Sequence, residues 1–279
     1  MTFTVLTFNI LQLQFKGSRP RARLALLAIE QADPDVIVLN EVFNRAGREL
    51  VARLCAAGYH ATPYLGGFSG PWAGVSGRRR GLGRLLGGGV YVLSRFPIEA
   101  QYQHIYRAVA QHTTEVLSNK GAVLIALRPA GQRMWVVGTH LHADERGSRH
   151  SERMAQLAEL RAFVAATVPT GEPVILAGDL NVEYYDADGQ PGPDRMEASR
   201  AVGAPIAGDT IHDCTFDGTV NPLTHQGSPQ YRNVLDYVCM LQASGDLSIT
   251  TTTLHYGPGH EASDHFPVLA TVSSAKLSG

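Results

Sequence analysis

Short apolar, β-branched runs bounded by Gly, Pro, Asn or Asp recur along the whole chain. They are Phe3 to Phe8, Val36 to Leu39, Val90 to Leu93, Ala122 to Leu127, Met134 to Val137, Val174 to Ala177, Leu235 to Leu241 and Val268 to Val272. Three stretches carry the 3.6-residue period of a helix instead. Arg21 to Gln31 stops before Asp33-Pro34, Arg48 to Ala57 stops at Gly58, and Ser151 to Val168 stops at Pro169. Many strands with few helices predict an α/β fold in which two β-sheets pack as a sandwich flanked by helices.

The chain has 279 residues, enough for a sizeable core, and shows neither a compositional break nor an internal repeat. A single domain over 1–279 is therefore expected. The net charge of -1 provides no global basic field, which disfavours nucleic acid as a partner. No pattern implies a protein partner. Cys55, Cys214 and Cys239 are scattered without C-x-x-C spacing and read as buried free thiols. The N-terminus runs straight into a strand pattern, without the charged and apolar regions of a signal peptide. No apolar stretch approaches the roughly 20 residues a membrane span needs. The chain reads as soluble: secreted if a leader has been trimmed, cytoplasmic otherwise.

One segment breaks the pattern. Residues 66–89 hold ten glycines, Trp72, the run Arg78-Arg79-Arg80, and Arg84. A loop this long is either a mobile surface segment or a lid or contact surface. Its arginines suit phosphate groups and its tryptophan suits a membrane interface.

Polar groups gather where the apolar runs end. The first strand finishes on Asn9, and the second on Asn40-Glu41. Together these offer the hard oxygen ligands that Mg²⁺ or Ca²⁺ prefers. His140 and His142 share a face if the chain stays extended, but no cysteine cluster or H-E-x-x-H accompanies them, so a catalytic imidazole is a better reading than zinc. Asp179 and Asn181 follow Val174 to Ala177 directly. An ionised aspartate there can orient a water and an amide can donate to a phosphoryl oxygen, although G-D-x-N is also an ordinary turn string. Asp236 lies inside an apolar run, where a carboxylate needs a partner. The histidine of Ser263-Asp264-His265 is a natural one, because an Asp–His dyad fixes the tautomer and raises basicity. Asp186-Ala187-Asp188-Gly189 lacks the full Ca²⁺-loop pattern and reads as a surface turn.

Asn9, Glu41, Asp179, Asn181, Asp236, Asp264 and His265, in this order, resemble the endonuclease/exonuclease/phosphatase superfamily. Within it the chain most resembles the bacterial-type neutral sphingomyelinases, on Leu39-Asn40-Glu41-Val42-Phe43, Gly88-Gly89-Val90, Ser94-Arg95-Phe96-Pro97-Ile98, Ser118-Asn119-Lys120-Gly121 and Gly138-Thr139-His140-Leu141. The resemblance implies a DNase-like four-layer sandwich and a Mg²⁺-dependent phospholipase C, with Mn²⁺ or Co²⁺ as substitutes. It implies that Glu41, Asn9 and Asp264 serve the metal and that Asp179 and Asn181 surround the attacked phosphorus. By the same resemblance His265, oriented by Asp236, activates water, His140 assists the leaving alkoxide, and Lys120 and Asn119 contact the substrate phosphate. Asp179 and His265 both stand as candidates for removing the proton. The partner implied is a phospholipid, with transient membrane-surface contact through 66–89. A nuclease or other soluble phosphoester hydrolase using the same site is the alternative.

Two features depart from the secreted members of that group. No cysteine pair flanks the Ser-Asn-Lys-Gly and Gly-Thr-His-Leu regions. The segment before Ser263, Thr251 to Pro258, has Tyr256 as its sole aromatic residue where those members carry an aromatic hairpin.

Overall fold

The computed structural model describes residues 1–13, 18–67, 69–77, 87–110, 117–143, 149–206, 214–227, 229–243, 247–257 and 259–274. Two six-stranded mixed sheets form the centre. The first contains β1 (Thr2–Gln12), β2 (Val36–Val42), β3 (His60–Ala61), β5 (Tyr91–Ser94), β13 (Leu247–Thr253) and β14 (Val268–Ser274), in the order β13-β14-β1-β2-β5-β3. The second contains β4 (Gly74–Gly77), β6 (Ala100–Ile105), β7 (Gly121–Leu127), β8 (Met134–His140), β9 (Val174–Asp179) and β12 (Asp236–Gln242), in the order β12-β9-β8-β7-β6-β4.

The side-chain period of two explains the layering. In β2, Val36 and Val38 enter a core shared by both sheets, beside Val92, Val123 and Ile175, while Ile37 and Leu39 point to the opposite face. That outer face is covered by α1 (Arg19–Ala32) and α2 (Arg45–Ala56), through Ala25, Leu26, Ile29, Leu50 and Leu54. The outer face of the second sheet packs Trp135, Val137 and Leu176 against α3 (His150–Thr167) and α4 (Pro193–Val202). Helices, sheet, sheet and helices make the four layers expected. Gly138 sets the closest approach of the sheets, since a Cβ there would stand 2.8 Å from Val92 and 2.9 Å from Val38.

All eight strand runs and all three helices lie where the pattern predicts, within a few residues. The thiol expectation needs correction. Cys239 is buried, but Cys55 is exposed and Cys214 half-buried. Cys55 sits on the outward side of α2, the helix burying Leu50, Val51 and Leu54 instead. The described parts of 66–89 are also more structured than a plain loop. Gly74–Gly77 joins β6 as a parallel edge strand. Trp72 packs against the inter-sheet core and its indole N–H donates to the Gly67 carbonyl. Gly87, Gly88 and Gly89 bond Asn119, Leu65 and Val42. Arg78-Arg79-Arg80 and Arg84 lie outside the described residues. Among the described residues no helix is long and apolar enough to cross a membrane.

Candidate active site

Strand register assembles the site. Asn9 pairs with Asn40 across the parallel β1–β2 ladder. In the other sheet, Asp179 pairs with His140 on one side and with Asp236 on the other. Five of the polar residues singled out in the sequence therefore converge before any loop is considered. The backbone is irregular at these ends in both sheets. The β1–β2 register shifts between Asn9 and Gln12, and Glu41 adopts a left-handed φ of 59°. Asn181 does the same at 50°. Irregular backbone at strand ends re-aims side chains, and strain of this kind concentrates at functional sites.

Asp179 is the focus. Its Oδ2 accepts from the Asn9 amide at 2.9 Å and its Oδ1 from the Asn181 backbone N–H at 3.0 Å. The same Oδ2 lies 3.5 Å from Nε2 of His140 and 3.8 Å from Nε2 of His265. Asn40 fixes the frame around it, accepting from the Asp179 N–H and donating to the Thr139 carbonyl, each at 3.0 Å. His265 turns its other nitrogen to Asp236, with Nδ1 2.7 Å from Oδ2. Lys120 is buried, its ammonium donating to the Leu141 carbonyl at 2.6 Å, an oxygen that also accepts from the Asn181 amide. Asn119 is buried against Gly66. Asp264 is half-buried, accepting from the Ser263 hydroxyl at 3.2 Å.

Burial and charge crowding perturb four titratable groups here, Glu41, Asp179, His140 and His265. Burial, then Asp264, push Glu41 up to about 7, against the opposing pull of His265 and Lys120. Burial and Asp236 push Asp179 up to about 6. Burial, Lys120 and His265 hold His140 well below the imidazole range. Burial would lower His265 too, but Asp236, Asp179 and Asp264 outweigh it and hold this ring well above that range. Such opposed shifts in adjacent groups mark a functional site.

The donor chemistry fits a divalent cation. Oε2 of Glu41 is buried with no hydrogen-bond partner among the described residues, a costly state that a cation relieves. Asp179, Asp236 and His265 also hold potential ligand atoms within 4.8 Å of one another. His142, by contrast, leaves the site. It lies past the end of β8 and its Nε2 accepts from the Ala110 N–H, so the two-histidine zinc face does not form. Asp186 makes the expected turn, accepting from the N–H groups of Asp188 and Gln190.

Sequence reasoning missed the brace behind the dyad. Thr215, fully buried, accepts from the N–H groups of both Leu235 and Asp236 through its hydroxyl, while its carbonyl takes the N–H of Phe266. Asn221 and Thr224 donate to the carbonyls of Ser263 and Asp264, and the Tyr256 hydroxyl to that of His265. Tyr256 is thus spent inside the fold. No local sequence signal marks these residues, because each acts across a long stretch of chain.

The profile of the Endonuclease/Exonuclease/phosphatase family matches residues 6–265. Sphingomyelinase C of Bacillus cereus is 28% identical over 299 aligned positions, covering 98% of this chain and 89% of the relative. The crystal structure of sphingomyelinase C from Streptomyces griseocarneus superposes with a TM-score of 0.81 at 26% identity, covering 97% of this chain and 99% of that one. Beta toxin from Staphylococcus aureus, solved as a double mutant with bound magnesium ions, superposes equally well at 0.81 and 23% identity, covering 97% and 99%. The chain belongs to the Endonuclease/Exonuclease/phosphatase family, as a metal-dependent phosphoric diester hydrolase of the sphingomyelinase-like kind.

Proposed function

We propose that the chain, acting over 1–279 as one catalytic domain, hydrolyses sphingomyelin or a related phospholipid in the phospholipase C manner. Mg²⁺ is the cofactor in this reading, with Mn²⁺ or Co²⁺ as substitutes. Similarity to sphingomyelinase C over 98% of the chain supports the substrate. The observation that carries the chemistry is the Asp236–His265 dyad facing Asp179, beside the orphaned carboxylate oxygen of Glu41.

Glu41 and Asp264, with the Asn9 amide oxygen, would hold the ion. His265 in the trio of Asp179, Asp236 and His265 is already committed to Asp236, and Mg²⁺ takes oxygen ligands, so we assign that trio to proton handling. When bound, Mg²⁺ polarises the phosphoryl oxygens and stabilises the departing oxygen.

The rest is done by the chain. Asp236 fixes the proton on Nδ1 of His265, leaving Nε2 to take the proton of the attacking water. The new bond forms between water oxygen and phosphorus, and the bond from phosphorus to the lipid alkoxide breaks. His140, on the other side of Asp179, delivers the proton that alkoxide needs. The second N–H of the Asn181 amide is available to a phosphoryl oxygen, and Lys120 adds positive charge behind it. Resting protonation runs against these roles, since carboxylates hold the proton on His265 while burial, aided by Lys120 and His265, keeps His140 neutral. Loading the site moves both toward these roles. Neutralising Glu41 and Asp264 weakens the field on His265, and an anionic phosphodiester raises the proton affinity of His140. Approach to a lipid surface through 66–89 would rest on Arg78, Arg79, Arg80 and Arg84, because Trp72 is held inward.

One substrate panel tests the reading: sphingomyelin, phosphatidylcholine, plasmid DNA and an inositol phosphate, each with and without Mg²⁺. Release of phosphocholine from the choline lipids with Mg²⁺ is expected. Clean nicking of plasmid with no lipid turnover would replace this substrate with the nucleic-acid alternative and leave the fold untouched.

A further inference from the structure

Beside the proton-handling groups the chain builds a short wall of rings. A small hairpin of β10 (Phe216–Asp217) and β11 (Arg232–Asn233) pairs Phe216 with Asn233 and Asp217 with Arg232. Side chains alternate along strands, so Phe216 and Tyr231 share one face while Asp217 and Arg232 occupy the other. The contacts agree. The Phe216 ring lies 4.9 Å from the His265 ring and 5.8 Å from that of Tyr231, both edge-on at 67° and 70°. The Tyr231 hydroxyl donates to Oε1 of Glu183 at 2.6 Å. On the far face Arg232 closes on Asp217 at 2.7 Å, so the cation of the hairpin is neutralised and turned away.

A continuous series therefore leads outward from the base: imidazole, phenyl ring, phenol ring, carboxylate. Phe216, Tyr231 and Glu183 are all half-buried and keep surface of their own. None handles a proton in the mechanism above. Two aromatic rings ending in a carboxylate suit one chemical class in particular. A quaternary ammonium has no N–H to donate, so hydrogen bonds cannot recognise it. Aromatic faces and a nearby negative charge can.

We propose that Phe216, Tyr231 and Glu183 form the subsite for the cationic head group of the phosphodiester and select a quaternary ammonium over a neutral head. The inference rests on the phospholipid reading and names how that substrate is chosen. With phosphorus beside His265, a head group on a two-carbon linker extends along this wall. A primary ammonium keeps the attraction of Glu183 but is more strongly hydrated, so it ranks second, and an uncharged head ranks last.

The test measures kcat/KM for sphingomyelin, ceramide phosphoethanolamine and a phosphodiester lipid with an uncharged head in the same mixed micelles. The proteins are the parent, Phe216→Leu and Glu183→Gln, each checked for folding by circular dichroism. In either variant the ratio of sphingomyelin to uncharged-head turnover is expected to fall by about 10-fold, within the range of a desolvated cation–π contact, mostly through KM. Equal losses on all three lipids would mean that the wall only braces His265, and would overturn the inference. So would a parent that does not discriminate among them. A second readout separates this claim from the lipid reading: inhibition of bis(4-nitrophenyl) phosphate hydrolysis by phosphocholine and by inorganic phosphate. If the parent cleaves no lipid yet phosphocholine inhibits more tightly, with the difference lost in Glu183→Gln, the subsite stands and the lipid reading falls. If phosphocholine inhibits no better than phosphate, the subsite falls.

Discussion

At Gly178 backbone geometry and chemistry depend on each other. Its φ of 151° is open to glycine, and a Cβ would stand 1.9 Å from the Thr139 carbonyl. Gly178→Ala is therefore expected to cost roughly 3 kcal/mol or more, from strain and a displaced β8–β9 ladder. Its activity should fall further than its melting temperature alone explains, because Asp179 is the next residue. Parallel thermal melts and rate assays measure both. His265→Ala tests the dyad instead. Turnover is expected to fall by about 10²–10⁴-fold, the usual worth of a general base, with the melting temperature nearly kept. Near-normal turnover would remove His265 from the chemistry. At this scale the sequence was highly legible, since Asn9, His140, Asp179, Asn181, Asp236 and His265 all stand together. Phe216 and Thr215 were not, because a ring beside an imidazole and a hydroxyl under two backbone amides leave no mark on local pattern.

Among elements, the segment from Thr215 to Thr224 acts as a staple between β12 and the Ser263-Asp264-His265 loop. Thr215→Val keeps the shape but leaves two buried N–H groups without their acceptor. A loss of about 1–3 kcal/mol is expected, read as a lower urea midpoint, with kcat falling more than KM rises as the dyad loosens. Asp217 anchors the same staple. Burial disfavours its charge, but bonds from Thr219 and Arg232 outweigh this and hold its carboxyl below the usual range. A carboxyl lowered in the folded state binds fewer protons than in the unfolded chain. Its contribution is present above the ordinary carboxyl value and is lost as pH falls through the folded one. Asp217→Asn should therefore flatten the loss of stability below about pH 4, a difference that urea midpoints against pH will show. The elements that pattern missed share a physical cause. Strand β13 reads Leu-Ser-Ile-Thr-Thr-Thr-Thr because it is an edge strand with one wetted face. In β6, Gln101 and Gln103 hide the alternation because their amides are spent on Pro71 and Gly67 carbonyls. Helix α4 buries little beyond Ala198 and Val202, too narrow a stripe to show as a period.

For the whole molecule, two sheets sharing one core allow strands distant in sequence to end at a common point, and that point gathers groups whose charged forms burial disfavours. Glu41 bears part of that cost, since burial raises its carboxyl to about 7 and its Oε2 has no hydrogen-bond partner among the described residues. Mg²⁺ should raise the melting temperature of the parent and leave Glu41→Gln nearly unmoved, a comparison read by differential scanning fluorimetry. An equal rise in both would place the ion elsewhere. In the proposed reaction the site uses a metal to direct water onto the phosphorus of a choline phospholipid. Hydrolysis of sphingomyelin in ¹⁸O-labelled water, followed by mass spectrometry of both products, tests it most directly. With Mg²⁺ the label is predicted in phosphocholine and not in ceramide, and with EDTA neither product should form. Label in the ceramide, or undiminished release in EDTA, would contradict it.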